Sequence, residues 1–149
     1  MRTVDAVSRA PRSTLDEYRF FHAYCRGVDG MPIVCDDKDR LNWVSLLTRT
    51  SEQFRWRLWT YCLLTNHFHL VVEAALDDLS GGMHRLNGMY AQRFNRRHKR
   101  TGHLFSDRFG VRAIDNEKQL IATCSYVRAN PVRAGLCDEP EGWPWSAGF

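Results

Sequence analysis

Strict alternation of side chains over residues 67–73, His-Phe-His-Leu-Val-Val-Glu, predicts a half-buried β-strand. The three apolar side chains at even positions point to one face, into a core. His67 and His69 then lie side by side on the other face, close enough to bind one metal ion through a ring nitrogen of each. The alternative is a pair of strand histidines that only make hydrogen bonds.

The segments around this strand predict an α+β fold. Strands are also expected at residues 18–26, 54–64 and 108–114, and Thr65-Asn66 is the tight turn of a hairpin, in which Asn66 is a turn residue or orients a neighbouring group. The order β-α-β-β-α-β with a trailing helix is the ferredoxin-like pattern, an antiparallel sheet with two helices on one face. The other face is left uncovered by these helices, and the two histidines point onto it.

Capping residues and breakers predict the ends of the three helices. Acidic residues at 36–39 begin the first helix, which runs to about Gln53. The second helix begins within 77–82, with an Asp or Ser as its N-cap. Asn116 caps the third helix, and Asn130-Pro131 ends it because the residue before a proline avoids the helical conformation.

A chain of 149 residues is long enough for one domain with its own core. We expect a polar arm at residues 1–17 and a single domain over 18–149, with aromatic residues 143–146 folded back over the core or, alternatively, stacked on bases. No apolar run is long enough to span a bilayer and no secretory signal is present, so the expected compartment is the cytoplasm. The five cysteines form no C-x-x-C pair, which argues against a zinc knuckle or a disulfide framework.

Basic residues are concentrated in one stretch of the chain. Residues 85–112 contain eight Lys or Arg and one acidic residue, a net charge of +7 in a chain whose total is +4. Such a stripe is typical of a surface that binds nucleic-acid phosphates, although a solvated helix face has the same composition. The residues predicted to bind DNA are Arg93, Arg96, Arg97, Lys99, Arg100 and Arg108.

Tyr126 and Asn130 lie four residues apart on the third helix and therefore share one face of it. That face differs from the apolar stripe of Leu120, Cys124 and Val127. If it lies over the uncovered side of the sheet, Asn130 can provide an amide oxygen as a third metal ligand beside the two histidines. Tyr126 then holds its hydroxyl next to whatever the metal binds.

This set of groups suits phosphoryl transfer on a nucleic acid. A divalent cation polarises a phosphodiester oxygen and neutralises charge during an in-line displacement. A tyrosine hydroxyl that attacks phosphorus forms a covalent phosphotyrosine. The released 3′ hydroxyl can reverse the attack, so cleavage and joining are one reaction run in two directions. Glu73 is a candidate general base or, alternatively, a solvated acid at the strand end.

Four segments resemble the REP-associated branch of the single-tyrosine transposases, within the HUH nucleases that carry a His-hydrophobic-His motif. They are residues 61–72, 102–109, 126–136 and 143–146. The resemblance implies that His67, His69 and Asn130 bind Mg²⁺ or Mn²⁺, and that Tyr126 is the nucleophile of a 5′-phosphotyrosine intermediate. It also implies a substrate of single-stranded DNA flanked by a hairpin, and a protein that acts as a monomer or a homodimer.

The favoured function is a metal-dependent endonuclease and strand transferase of transposase type, acting on single-stranded DNA near hairpins. Two departures from the family are Thr65, where proline is common, and Gly81-Gly82, which are expected to loosen the start of the second helix. The alternatives are a non-catalytic nucleic-acid-binding module and a domesticated regulator that binds palindromic DNA. A pure binder needs exposed aromatic residues on the open sheet face, where this chain has histidines.

Overall fold

The computed structural model describes residues 3–6, 15, 17–106 and 108–148. Its strands are β1 (Thr3–Ala6), β2 (Phe20–Arg26), β3 (Arg57–Leu63), β4 (His67–Glu73), β5 (Gly110–Ile114) and β6 (Ser146–Gly148). Its α-helices are α1 (Asp37–Gln53), α2 (Leu76–Arg97) and α3 (Glu117–Arg133), and short 3₁₀ helices lie at Val28–Gly30 and Pro140–Gly142. None of the described helices is both long enough and apolar enough to cross a membrane.

The six strands form one antiparallel sheet in the order β1-β5-β2-β4-β3-β6. The four inner strands are connected through α1 and α2 in the ferredoxin-like topology, which confirms the predicted α+β class. The outer strands come from the two ends of the chain. At the C-terminal end β6 pairs with β3, and Nε1 of Trp143 donates to the carbonyl oxygen of Leu63 at 2.9 Å. The closing aromatic segment therefore folds back against the sheet, as predicted.

Part of the predicted N-terminal arm belongs to the sheet. Thr3–Ala6 pairs with β5, with Thr3 opposite Ile114. The rest of the arm lies outside the described residues except for Leu15, which is buried, and Glu17, which is exposed. An edge strand is held by backbone hydrogen bonds, which do not depend on an apolar side-chain pattern, so composition alone did not reveal β1.

Helices pack on both faces of the sheet. α1 and α2 cover one face and enclose the main core, in which Trp43, Phe68 and Tyr90 are at most 1% exposed. α3 packs on the opposite face against β3 and β4. A smaller apolar cluster fills that contact, and it consists of Cys62, Leu64, Val71, Ile114, Leu120, Cys124 and Val127. The predicted stripe of α3 is therefore buried, and the helix lies on the same side of the sheet as the two histidines.

α2 begins earlier than predicted, at Leu76, with Ala75 as an N-cap that makes no side-chain hydrogen bond. The predicted Asp or Ser cap is therefore wrong, and Gly81-Gly82 lie inside the helix. A Cβ on Gly82 would lie 2.2 Å from Cζ2 of Trp56, and one on Gly81 would lie 2.7 Å from Cε1 of Phe54. The two glycines let the helix approach these rings closely, and this packing holds the first turns in place instead of loosening them.

We expect Gly82→Ala to lower the free energy of unfolding by about 1–3 kcal/mol, since the added methyl group overpacks a buried contact. Trp56 cannot move aside freely, because its ring is buried and its Nε1 donates to the carbonyl oxygen of Asp78 at 2.9 Å. Gly88→Ala in the same helix is the matched control. Among the described residues, and apart from the adjacent residues and the backbone of the helix itself, nothing lies within 4 Å of its added Cβ, so helix propensity should raise stability by about 0.5–1 kcal/mol. Urea unfolding measures both changes, and equal effects would contradict the packing argument.

Candidate active site

The two histidines of β4 lie on the face of the sheet that carries α3. The ring centroids of His67 and His69 are 5.1 Å apart, with planes at 83°. The intervening Phe68 is fully buried on the other face, as the alternation predicted. The neighbouring strand β2 places Tyr24 opposite His69 and His22 opposite Val71. The pairing thus adds a third histidine and a tyrosine to the same surface.

Each of the two predicted histidine ligands is hydrogen-bonded through its Nδ1. Nδ1 of His67 lies 2.7 Å from Oδ1 of Asn66, and Nδ1 of His69 lies 2.9 Å from Nε2 of His22. An amide oxygen only accepts hydrogen bonds, so Nδ1 of His67 is the donor. Asn66 is therefore both a turn residue and a group that orients its neighbour. These bonds occupy Nδ1 of each ring, so a metal ion could bind only at Nε2.

Burial keeps these imidazoles neutral. The pKa of His22 is lowered to about 4 by burial and by the positive charge of Arg112. The pKa of His69 is lowered to about 3, mainly by burial and to a smaller extent by the neighbouring side chains of His22, His67, Arg133 and Arg112. Burial and the nearby Arg26 also lower the pKa of His67. The neutral imidazole is the form that binds metal ions.

The metal-free protein should lose stability as the pH falls from about 6.5 to 5. The unfolded chain takes up protons on His22 and His69 near pH 6.5, whereas the folded protein takes them up near pH 4 and pH 3. The unfolded state then binds more protons in this window. The free energy of unfolding therefore decreases as the pH is lowered, by up to about 1.4 kcal/mol per pH unit for each histidine. Urea unfolding in EDTA measures the slope. His22→Gln should flatten it, and a slope of the opposite sign would contradict the burial argument.

α3 carries Tyr126 to the histidines. Its ring centroid lies 6.1 Å from that of His69 and 6.1 Å from that of His22, and the side chain is 47% exposed. Arg133, two helical turns further on, places its guanidinium 4.3 Å from the centroid of the Tyr126 ring and donates to the carbonyl oxygen of Tyr126 at 2.9 Å. The structure thus brings the predicted tyrosine together with the histidine strand, beside a positive charge and open to solvent.

Asn130 lies one turn after Tyr126 and is largely buried. Its Nδ2 donates to the carbonyl oxygens of Tyr126 at 3.1 Å and Val127 at 3.4 Å. Pro131 has no N–H to give the Val127 carbonyl its helical bond, so the Asn130 side chain supplies the donor instead. The carboxamide is thereby fixed with Oδ1 turned away from the helix backbone.

The prediction that Asn130-Pro131 ends α3 is wrong. The helix continues to Arg133, and Gly135, which follows the C-cap Ala134, terminates it with a positive φ of 75°. The amides of Gly135 and Leu136 donate to the carbonyls of Val132 and Pro131, which is the Schellman arrangement. The proline is accommodated because the Asn130 side chain replaces the missing donor.

The residues predicted to bind DNA fall into two groups. Three make hydrogen bonds within the protein, and these are Arg93 with Asn42, Arg97 with Asp36 and Asp39, and Arg100 with Asn95 and His103. The other three, Arg96, Lys99 and Arg108, have exposed side chains, and Arg108 also makes an interaction within the protein. Intramolecular ion pairs therefore account for part of the charge that the sequence assigned to a DNA surface.

A second group of potential metal ligands lies on the opposite side of the sheet, where α1 meets the end of α2. One ligand atom each from Cys35, Asp39 and His98 lies within 4.8 Å of the others. The buried Asp39 already accepts hydrogen bonds from Arg97 at 2.7 Å, from the Cys35 amide at 2.9 Å and from Nε2 of His98 at 2.8 Å. Because the guanidinium neutralises this carboxylate, the arrangement acts as an ion-paired joint between the two helices and is separate from the histidine strand.

Several residues near the predicted site were missed in the sequence, namely His22, Tyr24, Arg26, Arg112 and Arg133. The i, i+7 spacing of Tyr126 and Arg133 was a usable signal, since it places both on one helix face. The residues on β2 and β5 gave no such signal in the sequence, because their position beside the histidines depends on which strands pair and in what register. Glu73 is half-buried at the far end of β4, where it accepts from Nε1 of Trp59 at 3.2 Å.

Known families and solved structures share the family and the fold of this chain. The chain matches the family model of IS200-like transposases over residues 33–130. It is similar to the structure of a REP-associated tyrosine transposase bound to a REP hairpin, with a TM-score of 0.69 and 16% identity over 89% of this chain and 77% of that one. It is also similar to a protein from Deinococcus radiodurans R1 described as a transposase, with a TM-score of 0.53 and 14% identity over 82% of this chain and 96% of that one. No curated protein gave a match. The matched residues contain the histidine strand, Tyr126 and Asn130, and the chain belongs to the IS200-like transposase family.

Proposed function

We propose that this transposase is a metal-dependent endonuclease and strand transferase that cleaves and rejoins single-stranded DNA near hairpins through a 5′-phosphotyrosine at Tyr126. The observation that carries the proposal is the position of the half-exposed Tyr126 beside His69, on the face of the sheet that α3 covers and under the guanidinium of Arg133. The similar structure with a bound REP hairpin supports a hairpin as the element that is recognised.

His67, His69 and Asn130 would hold a divalent cation, Mg²⁺ or Mn²⁺. Both imidazoles are hydrogen-bonded through Nδ1, which leaves Nε2 for a cation, and the Asn130 amide nitrogen is bonded to its own helix, which leaves Oδ1. Two imidazole nitrogens and one amide oxygen would leave coordination positions for phosphate and water. The nitrogen ligands favour Mn²⁺ over Mg²⁺. When bound, the cation would polarise a phosphodiester oxygen and neutralise charge in the displacement.

The Tyr126 oxygen would attack the phosphorus of the scissile phosphodiester and release its phenolic proton to solvent. A bond forms between the phenol oxygen and phosphorus, the bond from phosphorus to the 3′ oxygen breaks, and that oxygen leaves as a 3′ hydroxyl. The positive charge of Arg133 beside the ring favours the negative charge that develops on the phenol oxygen. Attack of a 3′ hydroxyl on the phosphotyrosine reverses these bond changes and joins two strands.

The loop after α2 brings basic residues close to the histidine strand. The Ser106 amide donates to the carbonyl oxygen of Arg26 at 2.9 Å, and Phe105 forms a β-bridge with Gly27. Arg26 is in turn the cross-strand partner of His67. A hairpin bound to the basic residues at 93–108 would therefore direct its single-stranded flank toward the catalytic residues. This supports binding and cleavage on one continuous surface.

Arg96→Ala and Arg97→Ala should have different effects. Arg96 is exposed, so its removal should weaken hairpin binding and reduce the slope of log K against log salt concentration by about one phosphate contact. Arg97 is bonded to Asp36 and to the buried Asp39, so its removal should lower the melting temperature. Binding titrations at several salt concentrations, together with thermal melts, separate the two effects. Identical salt slopes for Arg96→Ala and the unmodified protein would remove Arg96 from the interface.

The direct test uses a labelled pool of single-stranded DNA in which imperfect hairpins are flanked by randomised sequence. Incubation with Mg²⁺ or Mn²⁺ should produce a protein–DNA adduct that survives denaturant and disappears in EDTA. The label must be retained when it is placed 3′ of the cleavage site, because the phosphate stays on that strand. Specific hairpin binding with no adduct under any of these conditions would favour the regulator, a protein that binds palindromic DNA without cutting it.

A further inference from the structure

We propose that Asn66 and His22 are positioning residues that hold His67 and His69 as Nδ1-protonated tautomers and thereby present Nε2 of both rings to the cation. This inference rests on the proposed function, because it concerns the same pair of ligands. It adds two residues that would act on the cation only through its histidine ligands.

Asn66 makes two side-chain hydrogen bonds. Oδ1 accepts from Nδ1 of His67 at 2.7 Å, and Nδ2 donates to the carbonyl oxygen of Gly30 at 3.3 Å. The second bond fixes the orientation of the amide, since a carbonyl oxygen can pair only with the NH₂ end. The backbone carbonyl of Asn66 also accepts from the Gly27 amide at 2.8 Å. The residue is therefore held at both backbone and side chain with its acceptor aimed at His67.

His22 plays the corresponding part for His69. Its side chain is 4% exposed, and its Nε2 lies 2.9 Å from Nδ1 of His69. Each neutral imidazole has one donor and one acceptor nitrogen, so two arrangements of the shared proton are possible. If His22 donates, Nε2 of His69 carries the other proton and has no lone pair for a cation. If His69 donates, its Nε2 is free to bind, and His22 carries its own proton on Nδ1.

A cation at Nε2 therefore selects the arrangement in which His69 donates and His22 accepts. An accepting group behind a metal-bound histidine fixes the orientation of the ring and increases its basicity, and its loss typically weakens metal binding 10–100-fold. Both histidine ligands of this chain have such an accepting group. Asn66 of the hairpin turn lies behind His67, and His22 of the adjacent strand lies behind His69. The positions of both rings are thus fixed before the cation binds, and the cation sets only the proton arrangement of the His22–His69 pair.

The inference is tested by Mn²⁺ affinity of the full-length protein without DNA, measured by electron paramagnetic resonance. Asn66→Ala and His22→Phe should each weaken binding about 10–100-fold. Asn66→Asp and His22→Gln keep an acceptor and should remain within about threefold of the unmodified protein, or bind more tightly in the case of the carboxylate. His84→Gln, which removes an exposed histidine of α2, should change nothing.

Asn66→Asp also separates positioning from simple structural support. It loses the bond to Gly30 but keeps the acceptor for His67, so an affinity as poor as that of Asn66→Ala would overturn the inference. Imidazole nitrogen shifts in the metal-free protein give a second reading. They should report a proton on Nδ1 of His67 that moves to Nε2 in Asn66→Ala, and an Nε2-protonated His67 in the unmodified protein would contradict the assignment.

The reference variants distinguish the two proposals. His67→Ala and His69→Ala should lose Mn²⁺ binding almost completely. If they bind Mn²⁺ as the unmodified protein does, the metal assignment in the proposed function fails. If they lose binding while Asn66→Ala and His22→Phe retain it, only the positioning role fails.

Discussion

Tyr126→Phe should abolish the covalent protein–DNA adduct while leaving hairpin affinity within about twofold of the unmodified protein. Only the hydroxyl is removed, so the ring still stacks under Arg133, whose guanidinium lies 4.3 Å from its centroid. Loss of a covalent nucleophile typically costs at least about a thousandfold in rate, because the remaining groups cannot replace the bond it forms. Denaturing gels measure the adduct, and titrations of labelled hairpin measure the affinity.

Tyr24→Phe is the matched control, since Tyr24 is the other tyrosine whose ring adjoins His69, with centroids 6.1 Å apart. It lies over Gly110, where a Cβ would be 2.2 Å from the Tyr24 ring. Adduct formation should persist in this variant. An adduct that survives Tyr126→Phe and is lost in Tyr24→Phe would move the nucleophile from α3 to β2.

His69→Ala should reduce metal-dependent cleavage by at least about 100-fold, since loss of a direct ligand should cost no less than loss of a group behind it. His67→Ala should also reduce cleavage and raise the metal concentration required. His69 is the more buried of the two and is bonded to His22, so its removal should have the larger effect. Single-turnover cleavage over a range of Mn²⁺ concentrations measures both variants.

Hairpin binding in EDTA is the internal control for the histidine variants. Hairpin affinity should be unchanged, because the basic residues predicted to bind DNA lie at 93–108 and the two histidines are not among them. Cleavage that keeps the metal dependence of the unmodified protein in both variants would mean that the histidines are structural. His84→Gln controls for the loss of a histidine on the opposite side of the sheet.

The local parts of the fold were predictable because local sequence determines them. The cap of α3 is an example. Oδ1 of Asn116 accepts from the Gln119 amide at 2.8 Å, as the spacing indicated. The start of α2 and the C-terminal end of α3 were predicted incorrectly for a common reason. Trp56 against Gly82, and the Asn130 side chain beside Pro131, supply contacts that outweigh the usual preferences of glycine and proline.

The ion pairs of α2 were also beyond the sequence. Arg96 and Arg97 are adjacent, identical in type and both exposed, yet Arg97 binds Asp36 and Asp39, about sixty residues earlier in the chain. Charge counting treats both as contributors to a DNA surface. Only the packing of α1 against α2 separates them.

By itself, the sequence determined that His67 and His69 share a strand face and that Tyr126 and Asn130 share a helix face, because both follow from the repeat of a strand or a helix. The tertiary structure decided that the two faces meet, and that His22 stands behind His69. These contacts join residues far apart in the chain. They depend on strand register and on the side of the sheet that α3 covers, which no local pattern encodes.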